Sequence, residues 1–488
     1  MAKLTTWKMS CIVVVLCAAT AITASAQTFS NLFNFAGTNG NDPEFETLLQ
    51  ATDGHLYGTT SQGGDLTCNP PSGCGTIFEL SREGLKTLHT FESNVGGSFT
   101  GLILATDGNF YGNTYYGGDL TCNPPYGCGT IFKLTPSGTL TTLHQFELTD
   151  GTTLPWPLVE GIDGNLYGTT QSGGSGGNGT VFKISLTGNF TVLHNFDATG
   201  TDGLGPSSLV QATDGAFYGL TGAGGSGSDC FLGCGTIFKI TPAGAFTTLH
   251  DFSYAEGTRT SGGLIQASDG NFYGTREEGG NNNNCPENDG CGTIFRFNIH
   301  DGVTTVYSFC PQPNCADGFL PGVLVQGTDE NLYGATVYGG NDQCGSFGCG
   351  TVYEMSLGGT LTTLHTFQMK DGTNPDGGLF QATNGGFYAT TRQGGRYGDG
   401  TVFSLDMGLG LFVSFVLPAG KVGQTGGILG QGFTGTTDVS LNGISANFTV
   451  ISDTFIKATV PAGATTGYVT VTTPSGTLTS NVPFHVIK

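Results

Sequence analysis

Asp107-Gly108-Asn109-Phe110-Tyr111-Gly112, then Gly129-Thr130-Ile131-Phe132-Lys133-Leu134, then Leu140-Thr141-Thr142-Leu143-His144-Gln145-Phe146, is the clearest copy of a pattern that recurs seven times. Its Asp-Gly pair or equivalent starts at Asp53, Asp107, Asp163, Asp214, Asp269, Asp329 and Asn384, at intervals of 51 to 60 residues. Periods of that size mark repeat architectures, in which each copy is one supersecondary unit. Each copy holds four short runs with β character. In the fourth copy they are Leu209-Val210-Gln211-Ala212, Phe217-Tyr218-Gly219, Thr236-Ile237-Phe238-Lys239-Ile240 and Phe246-Thr247-Thr248-Leu249-His250-Asp251-Phe252. The Asp-Gly between the first two runs is a tight-hairpin signal.

Seven copies of four antiparallel strands predict an all-β chain built on a seven-bladed β-propeller. A lone blade cannot bury both faces, so the ring must close. Phe29-Ser30-Asn31-Leu32-Phe33-Asn34-Phe35 reads as a fourth strand with no blade before it, and the last copy stops at Thr401-Val402-Phe403-Ser404-Leu405, without a fourth strand of its own. The N-terminal strand is therefore expected to complete the seventh blade. Alternate connections of an up-and-down blade emerge on the same face. The Gly/Cys-rich loops and the inter-blade loops, such as that from Glu92 to Gly101, are expected on one face and the tight turns on the other.

The composition supports a folded, exported chain. Its 488 residues include 84 Gly with only 11% charged residues, a balance that can mean disorder, but 34 Phe and 16 Tyr at fixed repeat phases supply apolar area. Lys3 and Lys8, the apolar run Cys11 to Ala19, and Ala24-Ser25-Ala26 have the order of a signal peptide, 1–26, cleaved before Gln27. The apolar run is too short to span a bilayer comfortably. Nothing after it has the length and apolar character of a membrane span, so an extracellular or periplasmic product is expected. The formal net charge of -21 disfavours nucleic acid and anionic membrane surfaces as partners.

Two of the 14 Cys lie in the leader. The others form six close pairs: Cys68/Cys74, Cys122/Cys128, Cys230/Cys234, Cys285/Cys291, Cys310/Cys315 and Cys344/Cys349. Export and an even count predict disulfides. Zinc would need four convergent ligands, and these pairs come one to a loop with no His beside them. Copies three and seven have shorter loops and no pair, as expected if the pairs brace long loops. Neither a metal nor a cofactor is expected.

His89, His144, His194, His250 and His365 share one repeat position, which we align with Asn34 and Ser308 in the other two copies. A ring-symmetric position is expected to be structural, and the repeated Asp caps its own turn. Sites are expected where the copies disagree: at the residues before the Gly-Gly of the long loop and in the inter-blade loops. That selects Tyr115, Tyr116, Trp156, Arg276, Glu277, Tyr338 and Arg392 as candidate binding residues. No catalytic residue is assigned, because no G-x-S-x-G, H-E-x-x-H or Walker sequence occurs.

After about Met407 the phase changes. Gly426-Gly427-Ile428-Leu429-Gly430-Gln431-Gly432-Phe433, Val439-Ser440-Leu441-Asn442-Gly443, Ile456-Lys457-Ala458-Thr459-Val460-Pro461 and Gly467-Tyr468-Val469-Thr470-Val471-Thr472 read as a small antiparallel sandwich. Its Gly-x-Gly-Phe, Leu-Asn-Gly and Val-Pro segments resemble the IPT/TIG immunoglobulin-like family, over roughly 416–488, which implies a spacer or binding module. The Asp-Gly-x-Leu/Phe-Tyr-Gly turns, Gly-Gly loops and Gly-Thr-x-Phe strands of the preceding region, 27–407, resemble the bacterial Gloeo/Verruco (GloVer) repeat family. That resemblance implies an exported or surface-associated protein of undefined molecular role. Members of that family carry differing C-terminal anchors, whereas this chain ends in the sandwich, a departure that weighs against firm surface attachment. The expected function is non-enzymatic binding or scaffolding, with the long-loop face holding a glycan or a cell-surface protein. The alternative is an extracellular polysaccharide hydrolase or lyase on the same scaffold. Oligomeric state is not legible in the sequence.

Overall fold

The computed structural model describes residues 27–487, except 45–46, 93–98, 228, 261, 281–284, 287–288, 312–313 and 342–343. The expected leader, 1–26, and most of the loop from Glu92 to Gly101 lie outside the described residues.

The chain is a seven-bladed β-propeller followed by an immunoglobulin-like sandwich. Seven sheets occupy 49–90, 99–145, 159–195, 204–251, 265–308, 319–366, and 380–406 with 28–34. Thr28–Asn34 pairs antiparallel with Thr401–Asp406, so the first described strand closes the ring as expected. The inner strand of the sixth blade is split into Phe319–Pro321 and Val325–Gln326, both paired to Leu332–Tyr338.

Burial follows radial position. Second and third strands lie between neighbouring blades and are covered on both faces: Phe110–Thr114 is buried throughout, and Thr130–Leu134 exposes only Lys133 in part. Outer strands such as Leu140–Gln145 are half exposed. Second-strand rings pack on the next blade, with Tyr57–Phe110, Tyr167–Phe217, Tyr218–Phe272 and Tyr333–Phe387 centroids 4.0–4.6 Å apart. In six blades a glycine follows the strand-two Tyr and lets the third-strand ring approach closely, while the seventh has Ala389 opposite Phe403. A Cβ on Gly112 would lie 2.6 Å from the Phe132 ring, and one on Gly168 would lie 2.5 Å from Phe182.

The tight-turn face is tied together by side chains of the innermost strands. Gln211 Oε1 accepts from Ile162 N–H of the preceding turn, Gln266 from Thr213, Gln326 from Ser268, Gln381 from Thr328, and Gln50 from Thr383 across the closure. Glu160 does the same for Thr106. At the one remaining junction Leu104 replaces the polar residue, leaving the turn at Thr52 without this cap. The sandwich meets that turn. Thr454 Oγ1 donates to Thr52 O at 2.7 Å, and Phe412 N–H donates to Thr383 O at 3.1 Å on the adjacent turn.

The sandwich itself has two four-stranded sheets. One holds Ser414–Phe415, Thr425–Leu429, Phe455–Thr459 and Asn447–Ser452. The other holds Ile444–Ser445, Asp438–Leu441, Val469–Thr473 and Gly476–Thr479. A third, two-stranded sheet pairs Ala419–Lys421 with His485–Ile487 in parallel. Ile428, Phe433, Val439, Ile456, Val471 and Phe484 form its core without a disulfide.

Candidate functional site at the mouth of the propeller axis

The repeated polar residues are scaffold. Six Asp residues of the turns accept from the Tyr hydroxyl four residues on, at 2.6–2.9 Å, and also hold a backbone N–H two residues on. The His side chains work between blades. His144 stacks on Phe190 with centroids 3.9 Å apart and places Nε2 2.9 Å from Asp150 of the inter-blade loop; His194 pairs likewise with Phe246 and Asp202. The aligned positions in the other two copies need correction. Pairing register places Tyr307 opposite Ile294 and Phe33 opposite Val402, where His144 lies opposite Ile131, so Tyr307 and Phe33 hold the His position, not Ser308 and Asn34. Tyr307 keeps the carboxylate contact, its hydroxyl donating to Asp317 at 2.9 Å.

All six predicted disulfides form: Cys68–Cys74, Cys122–Cys128, Cys230–Cys234, Cys285–Cys291, Cys310–Cys315 and Cys344–Cys349. They close their loops as expected, and the second Cys of a pair belongs to the core as well as to its loop. Cys74 is buried with Ile77, Phe91 and Leu102, and Cys349 with Val352, Phe367 and Leu379, in each case joining residues of two successive blades. Cys74 Sγ lies 3.1 Å from Cys68 O, and Cys349 Sγ lies 4.0 Å from Asn341 Oδ1. A disulfide sulfur carries no proton to donate, so both are packing contacts and not thiol hydrogen bonds. The physical reason is position: each of these Cys stands two residues before the buried third strand, and sulfur there fills apolar space. Cys310–Cys315 differs in place: it braces an inter-blade loop, and Cys315 Sγ lies 4.0 Å from Cys291 Sγ in a shared core. Asp53, His55 and Glu79 also converge, but each is engaged, Asp53 by Tyr57, and Glu79 by His55 at 2.7 Å and Lys86 at 3.7 Å.

The long-loop face is built where each inter-blade loop runs beside the end of a second strand. Backbone bridges Asn41↔Gln62, Thr152↔Ser172, Thr258↔Glu278 and Thr373↔Gln393 fix that arrangement. Next to each bridge, one loop residue takes a left-handed conformation: Asp42 at φ 55°, Thr153 at 65°, Arg259 at 55°, Leu320 at 55° and Asn374 at 55°, with Gly205 at 60° in the fourth blade. Opposite these six stand Ser61, Gln171, Gly222, Glu277, Val337 and Arg392, and Tyr115 holds the equivalent position in the second blade.

A cavity of about 540 Å³ opens among blades two to five. Tyr115, Pro155, Trp156, Leu204 and Leu232 form an apolar and aromatic wall; Gln171, Arg259, Thr260 and Glu277 supply polar groups. Gly205, Gly222 and Ala223 leave the space between them unfilled. The cavity thus exists because the fourth blade omits the side chains that other copies carry. Burial, with Glu278 alongside, pushes the Glu277 carboxyl above its usual value against the pull of Arg259 and Arg276. Arg259 is engaged by Glu278 at 2.9 Å.

Three candidates from the sequence, Tyr115, Trp156 and Glu277, therefore come together. Four do not join this lining. Tyr116 is exposed on a neighbouring aromatic group with Tyr115 and Tyr126. Tyr338 packs on Phe319 and Phe347. Arg392 sits across the ring in ion pairs of 2.8 Å with Asp42 and Glu44; burial opposes its charge, but these carboxylates and Asp376 outweigh burial and hold it above its ordinary value. Arg276 is wholly enclosed between blades four and five. It donates to Thr221 O at 3.2 Å and to Cys234 O, and lies over the Phe252 ring at 4.3 Å. Burial pushes its pKa down to about 9 despite Glu277 and Glu256. Sequence reasoning did not select Leu204, Leu232, Arg259 or Thr260. The segments carrying them differ from copy to copy, and of the four only Arg259 is marked by a left-handed backbone.

Residues 18–154, 120–347 and 287–450 match the model of the Gloeobacter/Verrucomicrobia repeat, the last segment running into the sandwich. No curated protein matches the chain. Among solved structures, the extracellular domains of two putative hybrid two-component systems of B. thetaiotaomicron align with TM-scores of 0.49 and 0.48 at 10% and 11% identity. The alignments cover 94% and 95% of this chain but 57% and 60% of theirs, so the chain spans less than two thirds of those domains. The periplasmic gluconolactonase of Pseudomonas aeruginosa aligns at 0.42 and 16% identity, over 79% of this chain and 97% of its own.

Proposed function

The chain belongs to the Gloeobacter/Verrucomicrobia repeat family, and from that premise we propose that it is an exported, non-enzymatic binding protein that holds a glycan at the mouth of the propeller axis. The observation that carries this reading is the cavity of about 540 Å³ walled by Tyr115 and Trp156 and edged by Gln171, Thr260 and Glu277. Ring faces accept the C–H faces of sugars, and a few polar groups then fix orientation. The loops around it are braced by Cys122–Cys128 and Cys230–Cys234, which limits the ordering cost of binding. The alternative, a polysaccharide hydrolase or lyase, calls for two unlike carboxylates, or a His with a carboxylate, at one place. Among the described residues, the lining offers Glu277 alone of those groups. We read 416–488 as an IPT/TIG-type spacer that occupies the turn face of the 27–407 propeller and leaves the loop face open.

A glycan array on the mature protein tests the reading, repeated with Trp156→Ala and Gly222→Trp. Gly222 has room: a Cβ there meets nothing closer than 3.6 Å, so a larger side chain grows into the cavity and not into backbone. Binding by the parent and its loss in both variants, with unchanged melting temperatures, is the expected result. Retention of full binding by Gly222→Trp would place the ligand elsewhere.

A further inference from the structure

Resting on the glycan reading of the same cavity, we infer that its ligand carries a free amine: a glucosamine-type sugar whose ammonium pairs with Glu277 while its ring lies on Trp156 and Tyr115.

The inference starts from which charges are already spoken for. Glu278 is held by Arg259 at 2.9 Å. Glu256 accepts from Ser253 N–H at 2.8 Å and contacts His250 at 3.1 Å. Arg276, behind the cavity wall, directs its terminal nitrogens to Thr221 O and Cys234 O. Among the described residues no hydrogen bond or ion pair holds the Glu277 carboxylate; its neighbours act on it only at a distance. Glu277 is partly buried at the cavity wall, and a carboxylate there without a partner carries a desolvation cost that a cation entering beside it offsets. Burial accordingly pushes its proton affinity up. Beside it lies an aromatic and apolar wall that suits a pyranose ring and, through the ring faces, a neighbouring cation. The whole chain adds a background of -21, which favours approach of cationic ligands and disfavours uronic acids.

Isothermal titration of the mature protein with β-1,4-linked glucosamine oligomers, their N-acetylated counterparts and oligouronates tests this, alongside Glu277→Gln. The amine-bearing oligomers are expected to bind about tenfold or more tighter than the acetylated ones, the range of one charge-assisted contact. Glu277→Gln is expected to remove that preference with the melting temperature unchanged. Equal binding of both oligomers, or a preference that survives Glu277→Gln, overturns the amine inference and leaves the glycan reading standing. Tighter uronate binding also overturns the amine inference. Failure of all three to bind overturns the amine inference, and failure across the glycan array overturns the glycan reading.

Discussion

The two faces of the propeller are made by the same seven copies, yet they differ in how closely those copies agree. On the turn face six of seven junctions use one device, a Gln or Glu side chain that accepts from the preceding turn, and the seventh turn is contacted by the sandwich. On the loop face the equivalent positions read Ser, Tyr, Gln, Gly, Glu, Val and Arg, and the cavity sits where they are least alike. Repetition on one face builds a rigid ring, and that ring lets single residues on the other face vary without loss of fold. Agreement between copies therefore marks structure, and disagreement marks the place to look for chemistry.

The most damaging way to break this contrast is to attack the ring closure that both faces share. Phe35 is fully buried and contacts Phe78 edge-on with centroids 5.4 Å apart, joining the closing strand to the first blade. Phe35→Ala should cost about 3–5 kcal/mol, measured by denaturant unfolding. A loss under about 1 kcal/mol would mean that the ring does not depend on its closing strand.

Arg276 sharpens the same contrast, because it breaks the repeat yet does not join the cavity lining. Six copies place a Thr there that shares a hydrogen bond of 2.8–3.1 Å with a Thr of the third strand. Arg276 instead fills the space between blades four and five. Arg276→Thr restores the common residue but leaves a void and two unpaired carbonyls, so it should destabilise by about 2–4 kcal/mol. Glycan affinity measured well below the melting temperature should stay within about twofold. A large affinity loss at unchanged stability would make Arg276 part of the site.

These residues also show what was legible beforehand. The propeller, its closing strand, the disulfide pairs and the sandwich all follow from short-range periodicity, which the sequence displays directly. The core role of Cys74 and Cys349 does not, because spacing pairs two sulfurs without saying which of them faces the next blade. Disagreement between copies pointed to Tyr115, Trp156 and Glu277, but equally to Arg276 and Arg392, because variation alone does not say whether a side chain faces solvent, a neighbouring blade or an ion pair. Leu204, Leu232 and Arg259 stayed hidden because the segments that carry them differ in length and sequence from copy to copy, and only Arg259 carries a left-handed backbone to mark it. The misplaced Asn34 and Ser308 arose because the aromatic replacements Phe33 and Tyr307 look like core residues when read one at a time.

The finest test of the contrast uses the one turn-face cap that departs from its fellows. Glu160 accepts from Thr106 N–H at 2.9 Å and from its hydroxyl at 2.5 Å. Its counterpart Gln381 accepts from Thr328 N–H at 3.0 Å, and its amide donates to Thr328 Oγ1 and Gly385 O at 3.2 Å. A carboxylate cannot make those donations, and burial raises the Glu160 pKa, with the Thr106 bonds opposing and Asp107 adding to the rise. Glu160→Gln should therefore stabilise the protein by about 1 kcal/mol at neutral pH. The sign with pH follows from a folded-state pKa above the unfolded one: the wild type loses stability as pH rises from the unfolded value through the folded value, and the penalty is complete above it. The advantage of Glu160→Gln should be greatest at neutral pH and shrink on acidification through that window, as read from melting curves at a series of pH values. A constant advantage, or none, would mean that the repeated cap tolerates a charge at no cost, and that agreement among the copies at this position reflects shape rather than hydrogen bonding.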